Sequence, residues 1–219
     1  MKIATWNIER LKHKRELDKI IHNCEQIQAD VLVLTETDEQ AHPQFSYCYQ
    51  TPKLSDIQPE YYKPTENRVT IYSKYKCVQQ HPTYDKYTAL CVELETERGN
   101  LLVYGTIMGI YGNRHSNFAE DLPKQIADFK SLASTGKKLC ILGDYNLSFA
   151  DNYYYTKQGR ADLLQCFSEN NITLLTKDRP ECIDHIAISD SFIGGSTIQI
   201  EEWNYDKTLS DHKGIWIEI

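Results

Sequence analysis

The sequence lacks the features of a membrane protein and of a disulfide-rich secreted protein. No apolar run approaches the ~18 residues that a membrane-spanning helix needs. The opening residues, Met-Lys-Ile-Ala-Thr-Trp-Asn, contain no signal-peptide apolar region. The seven cysteines are an odd number and include no Cys-x-x-Cys pair, which disfavours a zinc site. We therefore expect no membrane span and a cytoplasmic location, where thiols stay reduced.

The sequence also lacks an excess of positive charge. Lys and Arg number 24 against 31 Asp and Glu, for a net charge of -7. This balance argues against a broad basic surface for non-specific nucleic-acid binding. The charge does not exclude a nuclease, because a metal enzyme needs clustered carboxylates and one basic rim can hold a phosphate backbone. A Walker-type loop, a Rossmann glycine pattern and a His-Glu-x-x-His motif are absent.

The composition is that of an ordinary globular protein, with 41% apolar and 25% charged residues. The chain has 219 residues and shows no internal repeat, low-complexity tract or linker. This length is enough for one substantial core and short for two. We therefore expect a single domain over residues 1–219.

Apolar patterns predict two halves that each mix strands with helices. The predicted helices are 11–27, 118–132 and 160–169. The predicted strands are 2–8, 31–36, 46–50, 68–73, 88–95, 101–107, 139–142, 172–175, 182–188, 197–202 and 213–219. The segment 41–66, with four prolines, is predicted to be a surface insertion around its one short strand. This order favours a layered sandwich of two mixed sheets covered by helices.

A polar corner follows the apolar strand 139–142. Gly143 lets the backbone turn, and Asp144 and Asn146 come next. In an extended segment their side chains would point to the same side, which brings an acceptor and an amide donor to one point. Such a pair suits activating a water and holding an oxyanion. The alternative is a simple turn, because Asp and Asn are common turn residues.

Other polar residues stand at or near the predicted strand ends: Asn7 and Glu9, Glu36, Asp184 and His185, and Ser210-Asp211-His212. Each has a structural alternative. Asn7 and Glu36 could be edge or cap residues, and His185 could be a hydrogen-bonded core histidine. Asp211 and His212 could belong to a solvated loop. Several such coincidences in one short chain favour a common site over separate structural roles.

This ordered set resembles the endonuclease/exonuclease/phosphatase family of metal-dependent phosphoesterases over nearly the whole chain. The residues that carry the resemblance are Thr5-Trp6-Asn7-Ile8, Glu36, the strand 67–74, Gly143-Asp144-Tyr145-Asn146, Ile183-Asp184-His185 and Ser210-Asp211-His212. The resemblance implies an α/β four-layer sandwich, in which two mixed β-sheets pack face to face with helices on the outer faces. It also implies hydrolysis of a phosphoester with Mg²⁺ or Mn²⁺.

The resemblance further implies a role for each site residue. The implied metal ligands are Glu36, Asn7 and Asp211, and the implied catalytic residues are Asp144, Asn146, Asp184 and His212. Asp144 would deprotonate the attacking water, and Asn146 would hold that water or a phosphate oxygen. His212 would contact the phosphate, with Asp184 fixing its tautomer.

The implied substrate is DNA or RNA. A small-molecule or lipid-headgroup phosphoester is the first alternative, because the chain is acidic. An inactive binding module of the same fold is the second. No protein partner is implied.

The chain departs from the family at two phosphate-binding positions. The strand 101–107 commonly delivers a His or Tyr to the phosphate, and this chain offers Thr106 or Ile107 there. That contact is missing, or it comes from the following loop through Tyr111, Asn113 or His115. Cys182 stands where an Arg often precedes the Ile-Asp pair. Both changes reduce the expected phosphate affinity at these places.

Two further stretches have an open interpretation. The run Asn152-Tyr153-Tyr154-Tyr155, with Lys157 and Arg160 after it, could stack bases beside Asp144 or could pack a surface loop. The basic run Arg10, Lys12, Lys14 and Arg15 could be a solvated helix face or could line the mouth of the site.

Overall fold

The structure is a computed structural model that describes residues 1–110, 112 and 115–219. The strands, in chain order, are β1 (Lys2–Asn7), β2 (Val31–Asp38), β3 (Tyr47–Gln50), β4 (Glu66–Ser73), β5 (Cys77–His81), β6 (Ala89–Thr96), β7 (Gly99–Ile107), β8 (Lys138–Asp144), β9 (Ile172–Leu174), β10 (Asp184–Ser189), β11 (Gln199–Trp203) and β12 (Gly214–Glu218). The helices are α1 (Leu17–Gln26), α2 (Ser116–Ser134), α3 (Lys157–Glu169) and α4 (Asp190–Ile193). None of these described helices has the length and apolarity that crossing a bilayer requires.

The strands form two mixed sheets. One has the order β11-β12-β1-β2-β4-β3, and the other has the order β5-β6-β7-β8-β10-β9. The parallel pairs are β1 with β2 and β7 with β8, and the helices α1 and α2 make these crossovers. The predicted four-layer α/β sandwich is confirmed.

Three apolar clusters fill the spaces between layers. The central one joins the two sheets through residues such as Val31, Val33, Val69, Val92, Leu142 and Ile186. The outer clusters use the alternate residues of the same strands. Leu32 and Leu34 pack with Ile20 of α1, while Leu139 and Ile141 pack with Phe129 of α2. Strands that are buried on both faces read as continuous apolar runs, which is why the sequence reveals them.

The structure corrects one predicted element and adds two that the sequence does not predict. The predicted helix 11–27 begins only at Leu17, because residues 9–11 and 14–16 form two short 3₁₀ turns before it. The strand β5, at Cys77–His81, was not predicted, because its side chains are largely exposed and polar. The short helix α4 was also not predicted, because four residues carry no helical period.

Candidate active site

The candidate site forms where β8 and β10 lie side by side. Asp144 ends β8 and Asp184 begins β10, and the two residues face each other in the antiparallel register. Both are buried, with exposures of 2% and 0%. Two neighbouring buried carboxylates repel each other when both are ionised. A positive group beside the pair would therefore stabilise its ionised form.

His212 supplies that positive group. Its Nδ1 lies 2.6 Å from Oδ2 of Asp184, a short charge-assisted hydrogen bond in which the imidazole donates. Burial alone would lower the pKa of His212, but the carboxylates of Asp184 and Asp144 raise it to about 10. His212 is therefore an imidazolium at neutral pH. The other oxygen of Asp184, Oδ1, is buried and accepts no hydrogen bond from the described residues.

Asp144 is poised to exchange a proton near neutral pH. Burial raises its pKa to about 7, and the charges of Asp184 and Glu36 add to the rise while His212 opposes it. Its Oδ1 accepts from the backbone N–H of Asn146 at 2.8 Å. Its Oδ2 accepts from Nδ2 of Asn7 at 3.1 Å. These donors fix the orientation of the carboxylate.

Asn146 reaches Asp144 by a different route from the one predicted. The extended backbone ends at Asp144, and Asn146 adopts a left-handed conformation with φ 50°. Alternation along a strand therefore does not align the two side chains. The turn does so instead, with Nδ2 of Asn146 at 3.3 Å from Oδ2 of Asp144. The same Nδ2 donates to the carbonyl oxygens of Met108 at 3.0 Å and Gly109 at 3.3 Å, which ties the amide to the end of β7.

The end of β1 holds the loop that carries His212. Ser210 Oγ donates to the carbonyl oxygen of Asn7 at 2.7 Å, and Trp6 Nε1 donates to the carbonyl oxygen of His212 at 3.1 Å. Asn7 is fully buried, and its Oδ1 accepts from the backbone N–H of Glu9 at 2.9 Å. The structure thus brings Asn7, Asp144 and His212 together, although they are far apart in sequence.

Glu9 is a site residue that the sequence marked only by its position after Asn7. It is 5% exposed, and it accepts from Lys12 Nζ at 2.7 Å and from the backbone N–H of Asp211 at 2.8 Å. Glu9, Arg10 and Leu11 all have positive φ values between 48° and 54°. Three successive non-glycine residues in this region are costly, and such strain collects at functional sites.

The remaining predicted ligands lie at the rim. Glu36 is half-buried near the end of β2 with φ 47°, and its charge contributes to the raised pKa of both Asp144 and Lys12. The Asp211 side chain is 68% exposed, and its Oδ1 lies 3.5 Å from Nε2 of His212. Both carboxylates are therefore near the buried cluster and open to solvent.

The donor set fits a hard divalent cation. Asp144, Asp184 and His212 place potential ligand atoms within 4.8 Å of one another. Nδ1 of His212 already makes the hydrogen bond to Asp184, which leaves the carboxylate oxygens as the suitable ligand atoms of this group. Carboxylate and amide oxygens are the ligands that Mg²⁺ prefers. The unpartnered Oδ1 of Asp184 is an atom that such a cation would satisfy.

Thr106 and Ile107, which stand where the family commonly has a His or Tyr, are not placed to contact a phosphate. Thr106 is fully buried and its hydroxyl donates to Oε1 of Gln125 at 2.9 Å, while Ile107 is 2% exposed. His115 is exposed and caps α2 through Nδ1, which accepts from the backbone N–H of Asn117. The other two residues named for this role, Tyr111 and Asn113, lie outside the described residues.

Two residues next to Asp184 have structural roles. His185 is a buried core histidine, hydrogen-bonded to Thr176 Oγ1 at 2.8 Å and to the carbonyl oxygen of Leu147 at 2.9 Å. Cys182 is buried and lies 3.0 Å, Sγ to O, from the carbonyl of Asp184. Burial raises the pKa of its thiol well above the usual value, so it behaves as a small apolar side chain.

The structure also has a cavity of about 980 Å³ that contains none of these residues. It lies between α1 and the segment 42–46, and Cys24, Phe45 and Lys74 are among its lining residues. Lys74 follows Ser73, which pairs with the first residue of β2. The cavity is therefore at the opposite end of the first sheet from Glu36, and we do not assign it to the candidate site.

Comparison with known proteins shows the family. The model of the Endonuclease/Exonuclease/phosphatase family matches residues 4–212, whereas a comparison with curated proteins found no match. The 3′ phosphatase NExo from Neisseria, solved with a product DNA hairpin, is 18% identical with a TM-score of 0.72, over 100% of this chain and 99% of that chain. The endonuclease domain of TRAS1, a telomere-specific non-LTR retrotransposon, is 14% identical with a TM-score of 0.70, over 100% and 97%. Beta toxin from Staphylococcus aureus is 15% identical with a TM-score of 0.62, over 100% and 99%.

At these identities the structural likeness shows a shared fold, and the family model carries the assignment. That model spans nearly the whole chain, and the resemblance of the sequence motifs agrees with it. The chain therefore belongs to the endonuclease/exonuclease/phosphatase family, whose members are hydrolases acting on phosphoester bonds.

Proposed function

We propose that this chain is a divalent-metal-dependent phosphodiester hydrolase that acts as a nuclease on DNA or RNA. The observation that supports this most is the buried cluster in which His212 Nδ1 bonds Asp184 Oδ2 at 2.6 Å beside Asp144. A phosphodiester is an anion, so its hydrolysis needs a base for water, positive charge for the phosphoryl oxygens and a fixed geometry. The cluster contains a group for each need.

Asp144 is the proposed base. A carboxylate with a pKa of about 7 holds a proton more strongly than an ordinary aspartate, so it can accept one from a water at neutral pH. Asn7 and the N–H of Asn146 hold its two oxygens in place. Asn146 is proposed to orient the attacking water or a phosphoryl oxygen from the same turn.

His212 is the proposed phosphate contact. As an imidazolium it carries one positive charge, and Asp184 fixes the ring by accepting from Nδ1. Nε2 is then the nitrogen that can donate to a phosphoryl oxygen, and Asp211 lies on that side of the ring. The pair has the carboxylate–imidazole arrangement of other hydrolases, in which the carboxylate orients the ring and the imidazole contacts the reacting group.

Glu36, Asn7 and Asp211 are the proposed ligands of a Mg²⁺ or Mn²⁺ ion. When bound, such an ion supplies Lewis-acid polarisation of the phosphoryl oxygen and offsets charge on the leaving group. Asn7 can contribute through Oδ1, which keeps a second lone pair after accepting from Glu9. Asp211 and Glu36 contribute carboxylates that are accessible to solvent.

The nucleic-acid assignment is supported by the fold shared with NExo and with the TRAS1 endonuclease domain. A small-molecule or lipid-headgroup phosphoester is the second candidate. It is favoured by the net charge of -7 and by the buried Thr106 and Cys182, which remove two phosphate contacts that the family commonly has. We also propose that residues 1–219 form one domain and that the protein acts in the cytoplasm.

A substrate panel tests the proposal. Single-stranded DNA, duplex DNA, RNA, a phosphoinositide and a generic aryl phosphodiester would be incubated with Mg²⁺ or Mn²⁺, and again with EDTA. We expect nucleic-acid cleavage that EDTA abolishes. Asp144→Asn should lower the rate by about 10²–10⁴-fold, as expected for the loss of a general base. Asp18→Asn, a change of an exposed aspartate on α1, is the matched control.

Three results would contradict the proposal in different ways. Hydrolysis limited to the phosphoinositide would favour the second candidate. An unchanged rate in Asp144→Asn would show that the proposed base is wrong. The absence of any hydrolysis with either metal would favour the inactive binding module.

A further inference from the structure

An exposed tyrosine and a lysine meet on two loops that lead into the candidate site. Lys207 Nζ donates to the hydroxyl of Tyr153 at 3.0 Å and lies 4.6 Å from the centre of its ring. Tyr153 belongs to the loop that follows Asn146, and Lys207 belongs to the loop that ends at His212. The contact therefore joins the two segments that carry proposed catalytic residues.

The ring of Tyr153 is not packed into the protein. It is 48% exposed, although burying a large ring would stabilise the fold by about 1.5–3 kcal/mol. The ammonium of Lys207 is nearer the hydroxyl oxygen than the ring centre, so it does not cover the middle of the ring. Single exposed aromatic residues are common on protein surfaces, so exposure alone would mean little.

The loop that carries Tyr153 is held by its own hydrogen bonds. The backbone N–H of Ser148 donates to the carbonyl oxygen of Tyr154, and the guanidinium of Arg160 donates to the carbonyl oxygens of Ser148 and Asp151. The backbone N–H of Tyr153 donates to Oδ1 of Asp151 at 3.0 Å. The exposed ring is therefore presented on a fixed backbone rather than on a loose one.

The opposite loop is fixed in a similar way. Nδ2 of Asn204 donates to the carbonyl oxygens of Ser210 at 2.8 Å and His212 at 2.7 Å, and its Oδ1 accepts from the backbone N–H of Leu209 at 3.2 Å. Both the aromatic ring and the cation thus have preset positions. Preset positions reduce the entropy that binding would otherwise cost.

A second exposed tyrosine lies on the loop that carries Lys207. Tyr205 is 65% exposed, and the ammonium of Lys213 lies 5.9 Å from its ring centre. Tyr155, in the run 152–155, does not share this arrangement. Tyr155 packs against the core cluster of α2 and α3, and Arg160 lies 3.9 Å from its ring centre. Tyr155 and Arg160 therefore support the loop, and the base-stacking interpretation stays open for Tyr153.

We propose that Tyr153 and Lys207 bind an unpaired nucleotide next to the scissile phosphate, with the base on the tyrosine ring and a phosphate on the ammonium. This inference rests on the proposed nuclease function and specifies a single-stranded segment as its substrate. An unpaired base has free faces that an aromatic ring can stack on, whereas bases within a duplex already stack on their neighbours. The lysine adds a contact that depends on charge and not on sequence.

Equilibrium binding tests this inference without turnover. The full-length protein would be titrated into a short fluorescein-labelled oligothymidylate, and separately into a blunt DNA hairpin, with EDTA present and fluorescence anisotropy as readout. We expect Tyr153→Ala to raise the Kd for the single strand by about 5–30-fold, the loss of one base stack. Tyr153→Phe should stay within about twofold of the wild type, because the ring is retained. The hairpin Kd should change less than the single-strand Kd.

A matched control and a second variant keep the test decisive. Tyr47→Ala removes another partly exposed tyrosine, one that pairs with Ser73 at the end of the first sheet away from the site. Tyr153→Leu keeps apolar bulk without the flat ring and should resemble Tyr153→Ala. The plot of the log of the association constant against log salt concentration has a negative slope. Lys207→Gln should make that slope shallower by about 0.7, the value for one phosphate contact on a single strand.

The inference is overturned if Tyr153→Ala and Tyr153→Leu bind the single strand as Tyr47→Ala does. It is also overturned if Tyr153→Ala raises the Kd for the blunt hairpin as much as it raises the Kd for the single strand. These outcomes are separate from failure of the proposed function. A protein that binds as expected but hydrolyses nothing with Mg²⁺ or Mn²⁺ would refute the nuclease assignment and leave the binding surface standing.

Discussion

Glu9 and Asp211 are joined by a hydrogen bond of 2.8 Å from the backbone N–H of Asp211 to Oε2 of Glu9, across 202 positions of the sequence. Burial alone would raise the pKa of Glu9, but the hydrogen bonds from Lys12 and from Asp211 lower it. Glu9 therefore carries a negative charge at neutral pH. It connects the strained turn 9–11 to the loop that presents His212.

We predict that Glu9 is a positioning residue for that loop. Glu9→Ala should lower kcat by about 10–100-fold with a smaller change in KM, because a shift of about 1 Å in a catalytic group has effects of this size. Glu9→Gln should lose less, because its amide oxygen can still accept from the N–H of Asp211. Steady-state kinetics on the best substrate of the panel would measure both values.

The matched control for this prediction is Glu16→Ala. Glu16 pairs with Lys19 on the same stretch of chain, and its side chain is 38% exposed. A wild-type kcat in Glu9→Ala would contradict the positioning role. A fall in melting temperature without a fall in kcat would show that Glu9 serves the fold alone.

The contact between His212 and Asp184 predicts that, among the neighbouring carboxylates, Asp184 contributes most to the charge of the imidazole. Asp184→Asn should lower the pKa of His212, because burial then acts without its largest opposing charge. It should also lower kcat by about 10²–10⁴-fold, the range for a group needed in proton transfer or charge stabilisation. The histidine C–H shifts in NMR titrations give the pKa directly.

Asp190→Asn is the control for that experiment, because Asp190 is exposed and follows β10 at its other end. It should leave both the His212 titration and kcat unchanged. If Asp184→Asn left the titration of His212 unaltered, the charge of the imidazole would have another origin.

The proposed role of Glu36 predicts a change in metal requirement. Glu36→Gln should raise the Mg²⁺ concentration for half-maximal activity by about 10–100-fold, the order of effect that follows replacement of a group at a metal site. The reason is that an amide oxygen is a weaker ligand than a carboxylate. Thermal stability in EDTA should stay close to that of the wild type, since Glu36 is half-buried and no metal is bound under those conditions. Titrations of activity against Mg²⁺ and melting curves give the two readouts.

Glu39→Gln provides a matched change in an exposed glutamate just after the same strand, and it should keep the wild-type Mg²⁺ curve. An identical curve for Glu36→Gln would rule Glu36 out as a ligand.

The layers of the fold could be predicted because its central strands are buried on both faces. Runs such as 31–34 and 139–142 are apolar at every position, and their lengths suit strands. The strand Cys77–His81 was missed because it is an edge strand, and three of its five residues are exposed. Its pairing with β6 is made by backbone groups, which leave no mark on the side-chain pattern.

The motifs identified Asp144, Asp184 and His212, which the structure places within reach of one another. The orientation of Asn146 and the part played by Glu9 could not be predicted. Both residues have positive φ values. Glycine adopts this conformation most readily, so a sequence gives little indication of it at other residues. Their contacts also depend on strands that meet only after folding.

His185 predicts how acid affects the stability of the fold. Its Nδ1 faces Thr176 Oγ1 at 2.8 Å and its Nε2 faces the carbonyl oxygen of Leu147 at 2.9 Å, which suits a neutral ring that donates from Nε2 and accepts at Nδ1. Burial lowers the pKa of His185 from 6.5 to about 4. Between these two pH values the unfolded chain therefore binds a proton that the folded chain does not, and stability falls as the pH falls.

The expected loss between pH 7 and pH 4 is on the order of 2 kcal/mol from this residue, since each pKa unit corresponds to about 1.4 kcal/mol and the denatured chain is not fully solvated. Urea unfolding at a series of pH values would measure it. His185→Gln removes the titrating group, so its stability should depend less on pH in this window even if the variant is less stable at pH 7. His22→Gln, at an exposed position of α1, should keep the wild-type dependence. If the stability of His185→Gln fell with pH as steeply as that of the wild type, groups other than His185 would cause the acid sensitivity.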